Sequence, residues 1–306
     1  MNDTNANASL KTNPNTQAGT AASTNRYCGV VVPMVSPFTP AGDIDQQAVP
    51  RVVELLLAGR VAGIFPLGTT GEAASIHPIE RRKLVECTVA AVNGRAMVYA
   101  GISSNCFRES VEAARDYTSL GVDAVVAHMP CYYPLNDAEI QAYFLRLADS
   151  VPLPLVLYNI PITTHHHISL DVVDRLRRHP NIVAIKDSAN DAHRLTELLR
   201  RCGGRGGFPV LLGSSSLFTH GLKHGGVGLV PSGAHLVAAE YTAMYEAAIA
   251  QRWDEVERLQ RQTDAVCAQY LKGRSLGEGL AVLKWMLEQR GICRRTMLPP
   301  IPDYQG

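Results

Sequence analysis

Residues 154–188 read PLVLYNIPITTHHHISLDVVDRLRRHPNIVAIKDS. Two short apolar runs, PLVLYN (Pro154 to Asn159) and IVAIK (Ile182 to Lys186), flank SLDVVDRLRRH, in which Leu170, Val173 and Leu176 recur at helical spacing. That is strand, helix, strand, with the two strands parallel because a helical crossover returns the chain to the same edge. Ser169 and Asp171 stand where a helix N-cap is useful.

The same alternation runs outward in both directions. Upstream lie GVVVPMV (Gly29 to Val35), AGIFPLG (Ala62 to Gly68), AMVYAG (Ala96 to Gly101) and DAVVAHM (Asp123 to Met129). Downstream lie PVLLG (Pro209 to Gly213) and VGLVPS (Val227 to Ser232). Amphipathic segments such as QQAVPRVVELLLAGR, IERRKLVECTVAAV and RESVEAARDYTSLG separate them, several ending in Gly or Asn as a C-cap does. About eight βα units result, the number at which a parallel sheet closes on itself and leaves no edge exposed. The predicted fold is therefore α/β, a (β/α)8 TIM barrel over residues 27–233. A doubly wound open sheet shows the same alternation, but strand count favours the barrel. AAEYTAMYEAAIA, DEVERLQRQTDAVCAQYL and GLAVLKWMLEQRG then follow without a strand, and residues 234–306 are expected to be C-terminal helices packed on the barrel.

Residues 1–26 are rich in Asn, Thr and Ala and read as a disordered, low-complexity tail. They lack the charged start and apolar stretch of a secretory signal, so a cytoplasmic protein is expected. Seven scattered cysteines without a C-x-x-C pair point the same way, to a reducing compartment rather than disulfides or structural zinc. Of the 306 residues, 29 are Lys or Arg and 28 Asp or Glu, and this balance lacks the footprint that phosphate-backbone binding needs. No apolar run approaches the roughly 20 residues of a membrane span. Nucleic-acid and membrane partners are accordingly not expected.

Barrel chemistry is carried at the C-terminal ends of strands. Lys186 ends an apolar strand, where a poorly hydrated pocket favours a neutral amine able to attack a ketone and form a Schiff base. A lysine snorkelling to solvent is the plainer reading of that residue alone. Tyr158, on the neighbouring strand, supplies a phenol that can shuttle protons, although a lone tyrosine there is more often core. GTTGE (Gly68 to Glu72) offers hydroxyls and backbone N–H groups suited to a small carboxylate, or simply a tight turn.

The order GTTGE after strand two, YNIP after strand five and IKDS after strand six resembles the dihydrodipicolinate synthase and N-acetylneuraminate lyase family of pyruvate-dependent class I aldolases. The likeness runs from about Tyr27 to Pro300. It implies an imine between Lys186 and pyruvate or another 2-oxo acid, proton transfer through Tyr158, and carboxylate binding and relay through Thr69 and Thr70. It also implies that Tyr132 reaches a neighbouring subunit's site in a homotetramer, a dimer of dimers. The expected catalytic set is Lys186, Tyr158, Thr70 and Tyr132. The expected substrate-contacting set is Thr69, Thr70, Gly71, Thr163, His165, Gly213 and Val230, with no metal and no cofactor.

Thr163 stands where synthases of the family usually carry an arginine that clamps the second substrate's carboxylate, and His165 where they carry glycine. Pro78 and Cys131 replace the His and Tyr often found at the lysine feedback site. A pocket of Thr163, Thr164, His165 and Ser214 suits an uncharged, hydroxylated aldehyde. The expected activity is a Schiff-base lyase, aldolase or dehydratase, acting on pyruvate or a 2-oxo-3-deoxy acid. Alternatives are 4-hydroxy-tetrahydrodipicolinate synthase and a non-catalytic 2-oxo acid binding barrel.

Other patterns carry less. Adjacent His165, His166 and His167 on an extended loop alternate in direction, so at most two could share a metal, and no carboxylate is near in sequence. Cys202 to Gly207 is glycine-rich but precedes a strand, whereas an anion-binding loop follows one. Gly213 to Ser216 with Pro231 to Gly233 could form the phosphate site common after strands seven and eight.

Overall fold

The computed structural model describes residues 26–306. The expected tail, residues 1–26, therefore lies outside the described residues except for Arg26. Elements follow in the order β1 (Gly29–Pro33), α1 (Ala48–Leu57), β2 (Gly63–Phe65), α2 (Pro78–Val92), β3 (Met97–Gly101), α3 (Phe107–Leu120), β4 (Ala124–Ala127) and α4 (Asp137–Ser150). They continue with β5 (Leu155–Asn159), α5 (Pro161–Thr164), α6 (Leu170–Leu176), β6 (Ile182–Asp187), α7 (Ala192–Cys202), β7 (Val210–Leu212), α8 (Phe218–Lys223) and β8 (Gly228–Leu229). Three helices end the chain: α9 (Ala234–Ile249), α10 (Trp253–Leu271) and α11 (Leu276–Gln289). All neighbouring strands pair in parallel, and β8 pairs with β1, so the sheet is a closed barrel in sequence order.

Strand alternation builds two apolar cores. Val30 and Val32 join the large cluster between strands and helices, while Val31 joins the cluster inside the barrel with Phe65, Tyr99, Val126, Val156 and Tyr158. The helices are terminated as the sequence suggests, with Asn93, Gly121 and Gly203 in the left-handed region after α2, α3 and α7. Ser169 caps α6 through its side chain, but Asp171 lies inside the first turn, where its charge favours the helix dipole. The helix α9 packs on β1, β8 and α1 and so takes the eighth helical place around the ring; α10 and α11 pack outside it.

One other expectation is corrected. The segment after β5 is not extended: α5 is one helical turn starting at Pro161, and His165 follows it with φ 59°. As expected, the glycine-rich stretch after α7 precedes a strand: a short 3-10 turn over Gly204–Gly206 leads into β7 and opens no α-helix.

Candidate active site

Register places Tyr158 directly opposite Lys186. Both belong to the inner face, and their successors Asn159 and Asp187, opposite each other in the same register, point outward. Asn159 Nδ2 donates to Asp187 Oδ2 at 2.8 Å, and Asn159 Oδ1 accepts the Ile168 N–H at 3.0 Å. Arg194 donates to Asp187 Oδ2 through Nε and Nη2 at 3.3 and 3.2 Å and to the Ile168 carbonyl at 2.7 Å. This outer network fixes the register of β5 on β6, and with it the approach of phenol to amine.

Inside the barrel the two groups sit among rings. Lys186 is 5% exposed, with Nζ 4.0 Å from the centre of the Tyr158 ring and 5.1 Å from that of Phe65. Among the described residues its amine has no hydrogen bond or ion pair to protein. The Tyr158 hydroxyl lies 3.3 Å from Thr69 Oγ1. The hydroxyl contact to Tyr158 thus falls on Thr69, whereas Thr70, grouped with the catalytic residues by resemblance, is buried beside it without such a contact.

The Gly68 to Glu72 turn is wound tightly. Gly71 N donates to the Gly68 carbonyl at 3.1 Å and Glu72 N to that of Thr69 at 3.1 Å, leaving the N–H groups of Thr69 and Thr70 outside the turn's own bonds. A Cβ at Gly71 would meet the Met34 carbonyl at 2.8 Å, so only glycine fits there. Leu67 and Glu72 flank the turn at φ 61° and 56°, a conformation costly for either residue. It is held from behind. Glu72 Oε1 accepts from Lys284 Nζ at 2.9 Å, Glu72 Oε2 accepts the Leu298 N–H at 2.9 Å, and Ser36 Oγ donates to the Gly71 carbonyl at 2.6 Å. Lys284 also donates to the Thr296 carbonyl.

The remaining expected residues scatter around this centre. Gly213 directly follows β7, its N–H on the Asp187 carbonyl at 2.8 Å; a Cβ there would fall 1.9 Å from Ser188 Oγ. Val230 is buried in the same inner cluster as Tyr158. The Thr163 and Thr164 hydroxyls donate to the Ile160 carbonyl at 3.3 and 3.1 Å, and Thr164 is 1% exposed, so Thr164 does not line a pocket. His165 is exposed, and His166 Nε2 lies 2.9 Å from the Tyr133 carbonyl. Among the described residues no group of three His, Cys, Asp or Glu side chains could hold a metal ion. Tyr132 is 77% exposed in the loop after β4 and does not meet Lys186 within the chain.

The sequence profile of the dihydrodipicolinate synthetase family matches residues 26–305. The chain belongs to that family. A 4-hydroxy-tetrahydrodipicolinate synthase of Phenylobacterium zucineum is 32% identical over 285 residues, covering 92% of this chain and 93% of the other. The dihydrodipicolinate synthase structure from Bacteroides thetaiotaomicron superimposes with a TM-score of 0.86 at 29% identity, over 91% of this chain and 94% of that one. The synthase structure from Methylacidiphilum fumariolicum SolV gives 0.83 at 28% identity, over 91% of each chain.

Two features of this family member escaped sequence reading. Lys284 interrupts the apolar run GLAVLKWML, a visible signal, but its partner Glu72 is 212 positions away. His128 closes the strand quoted as DAVVAHM, and period two from Ala124 and Val126 puts it on the inner face.

Proposed function

We propose that this chain is a Schiff-base-forming lyase acting on pyruvate or a 2-oxo-3-deoxy acid through an imine on Lys186. The observation that carries this reading is a buried amine without a protein partner, facing a phenol that is itself joined to a threonine hydroxyl. The Lys186 Nζ lone pair attacks the C2 carbonyl, and the carbinolamine loses its oxygen as water, with Tyr158 and Thr69 carrying protons between nitrogen and oxygen. The substrate carboxylate lies against the unused N–H groups of Thr69 and Thr70. In the cleavage direction the C4 hydroxyl passes its proton to the Tyr158 oxygen, whose own proton left with the water, and C4 departs as an aldehyde. The C3–C4 electron pair flows to the protonated imine nitrogen, giving an enamine that regains a proton at C3 and is hydrolysed to pyruvate and the free Lys186 amine.

Thr163 decides the partner in this reading. A charged second substrate needs a cation, and loss of a charge-assisted hydrogen bond costs about 1.5–3 kcal/mol, roughly tenfold to a hundredfold in binding. Cleavage or dehydration of a 2-oxo-3-deoxy acid, or the reverse addition to an uncharged hydroxyaldehyde, is favoured. Condensation with aspartate semialdehyde is the second reading, supported by the names of the relatives. The test compares kcat/KM for aspartate semialdehyde with that for hydroxyaldehydes, pyruvate being the donor. A clear preference for aspartate semialdehyde makes the second reading correct.

Assembly into a homotetramer rests on the resemblance and on the edge-to-face pair Tyr132 and Tyr133, 77% and 69% exposed. Sedimentation velocity showing a fully active monomer would remove it. A cytoplasmic setting is supported by seven free cysteines. Among the described residues no helix is long and apolar enough to cross a membrane.

A further inference from the structure

The inner face of β4 ends in a group the imine chemistry does not use. Ala127 stands opposite Leu157 in the β4–β5 register, so His128, the next residue, stands opposite Tyr158. Its ring meets the Tyr158 ring edge-on at 6.3 Å between centres. Its backbone N–H is held by Ser103 Oγ at 2.9 Å, and Nδ1 lies 2.7 Å from the Met129 carbonyl. A carbonyl only accepts, so Nδ1 carries the proton and Nε2 presents a lone pair. Among the described residues Nε2 has no protein partner, and it is not a sealed, orphaned atom. Burial pushes the ring's pKa below the ordinary imidazole value, the bond to Met129 opposes this, and the nearby Lys186 amine adds to the downward push.

We propose that His128 is a specificity-determining residue, whose Nε2 accepts a hydrogen bond from a hydroxyl on the aldehyde-derived half of the substrate. The argument rests on the Schiff-base reading and names the class of molecule that fills the other half of the site. A bare imidazole nitrogen attracts an O–H donor and repels a carboxylate oxygen, since both would present lone pairs. The substrate class is a 2-oxo-3-deoxy acid bearing a hydroxyl beyond the bond that is made or broken.

The experiment measures pyruvate addition to glyceraldehyde and to propionaldehyde, which lacks the hydroxyls, in wild type, His128→Ala and His128→Gln. Borohydride trapping of Lys186 with pyruvate alone reports the donor half separately. In His128→Ala the ratio of kcat/KM for glyceraldehyde over propionaldehyde is expected to fall about tenfold or more, the usual loss for a hydrogen bond. His128→Gln, whose amide oxygen can accept, restores part of it. An unchanged ratio, with both aldehydes slowed equally or neither slowed, overturns the proposal and leaves His128 as packing for Tyr158. Failure of trapping in the wild type instead overturns the Schiff-base reading itself.

Discussion

Among the described residues two lysines are buried, and their surroundings are opposite. Lys284, on α11, is 0% exposed; its ammonium meets the Glu72 carboxylate at 2.9 Å, the Thr296 carbonyl and the face of Phe38 at 4.2 Å. Burial pulls its pKa down, and Glu72 opposes that pull. Lys186, at the end of β6, has two aromatic rings and no acceptor. An ammonium held by a carboxylate, a carbonyl and a ring face is a structural tie. An amine without acceptors is free to act as a nucleophile. The contrast extends to the walls around each. Behind the Gly68 to Glu72 turn the polar groups are paired, whereas among the described residues the Lys186 amine and His128 Nε2 have no hydrogen-bond partner.

The sharpest way to break this comparison is to remove each amine in turn. Lys186→Met is expected to abolish borohydride trapping with pyruvate and to bring turnover to background, while stability stays level or rises, since no protein partner is orphaned. Retained turnover would put Lys186 back among structural lysines. Lys284→Met has the reverse signature. Glu72 is left as a buried carboxylate without its cation, and unfolding in urea should show a loss of about 3–5 kcal/mol. A loss below about 1 kcal/mol would mean that the pair does not hold the turn.

A smaller effect is expected at the phenol. Tyr158→Phe keeps the ring over Lys186 and removes the contact with Thr69, so kcat should fall by about 10²-fold with the fold intact. Unfolding without loss of activity per folded molecule would instead class Tyr158 as core.

The smallest tests the paired side. His235, on α9, accepts the Val35 N–H at Nε2, 3.1 Å away, and has Nδ1 2.8 Å from the Ser232 carbonyl. Burial pushes its pKa down from 6.5 to about 4, and the bond to Ser232 offsets only part of this. Below pH 6.5 the unfolded chain binds a proton that the folded chain refuses, so stability falls with pH and stops falling near the folded value. Between pH 6.5 and about pH 5.5 this one residue should account for about 1 kcal/mol. His235→Gln should be less stable at neutral pH and show a shallower slope in that window; an unchanged slope would mean that other groups set the pH dependence.

Much of the site was legible because barrel strands report their inward residues by alternation and their functional residues by position. Tyr158 and Lys186 are the last inward-facing residues of their strands, so reading those two strand ends was enough to place them together. The segment after β5 was not legible. Pro161 starts a helical turn whose end, His165, takes a left-handed conformation that its own side chain disfavours, and no local pattern announces it. That the Tyr158 hydroxyl meets Thr69 and not Thr70 was equally hidden, because adjacent threonines differ only in which way a tight turn aims them.

The sequence by itself determined the eight βα units, the strand-end amine and phenol, and the absence of an arginine at Thr163, since periodicity and residue identity are local properties. Only the tertiary structure decided that Glu72 and Lys284 lock the turn behind the site, that Asn159, Asp187 and Arg194 hold the register, and that His128 faces Tyr158. Those pairings join residues on different elements, and the packing of neighbouring strands, of α7 and of α11 against the barrel is what brings them together.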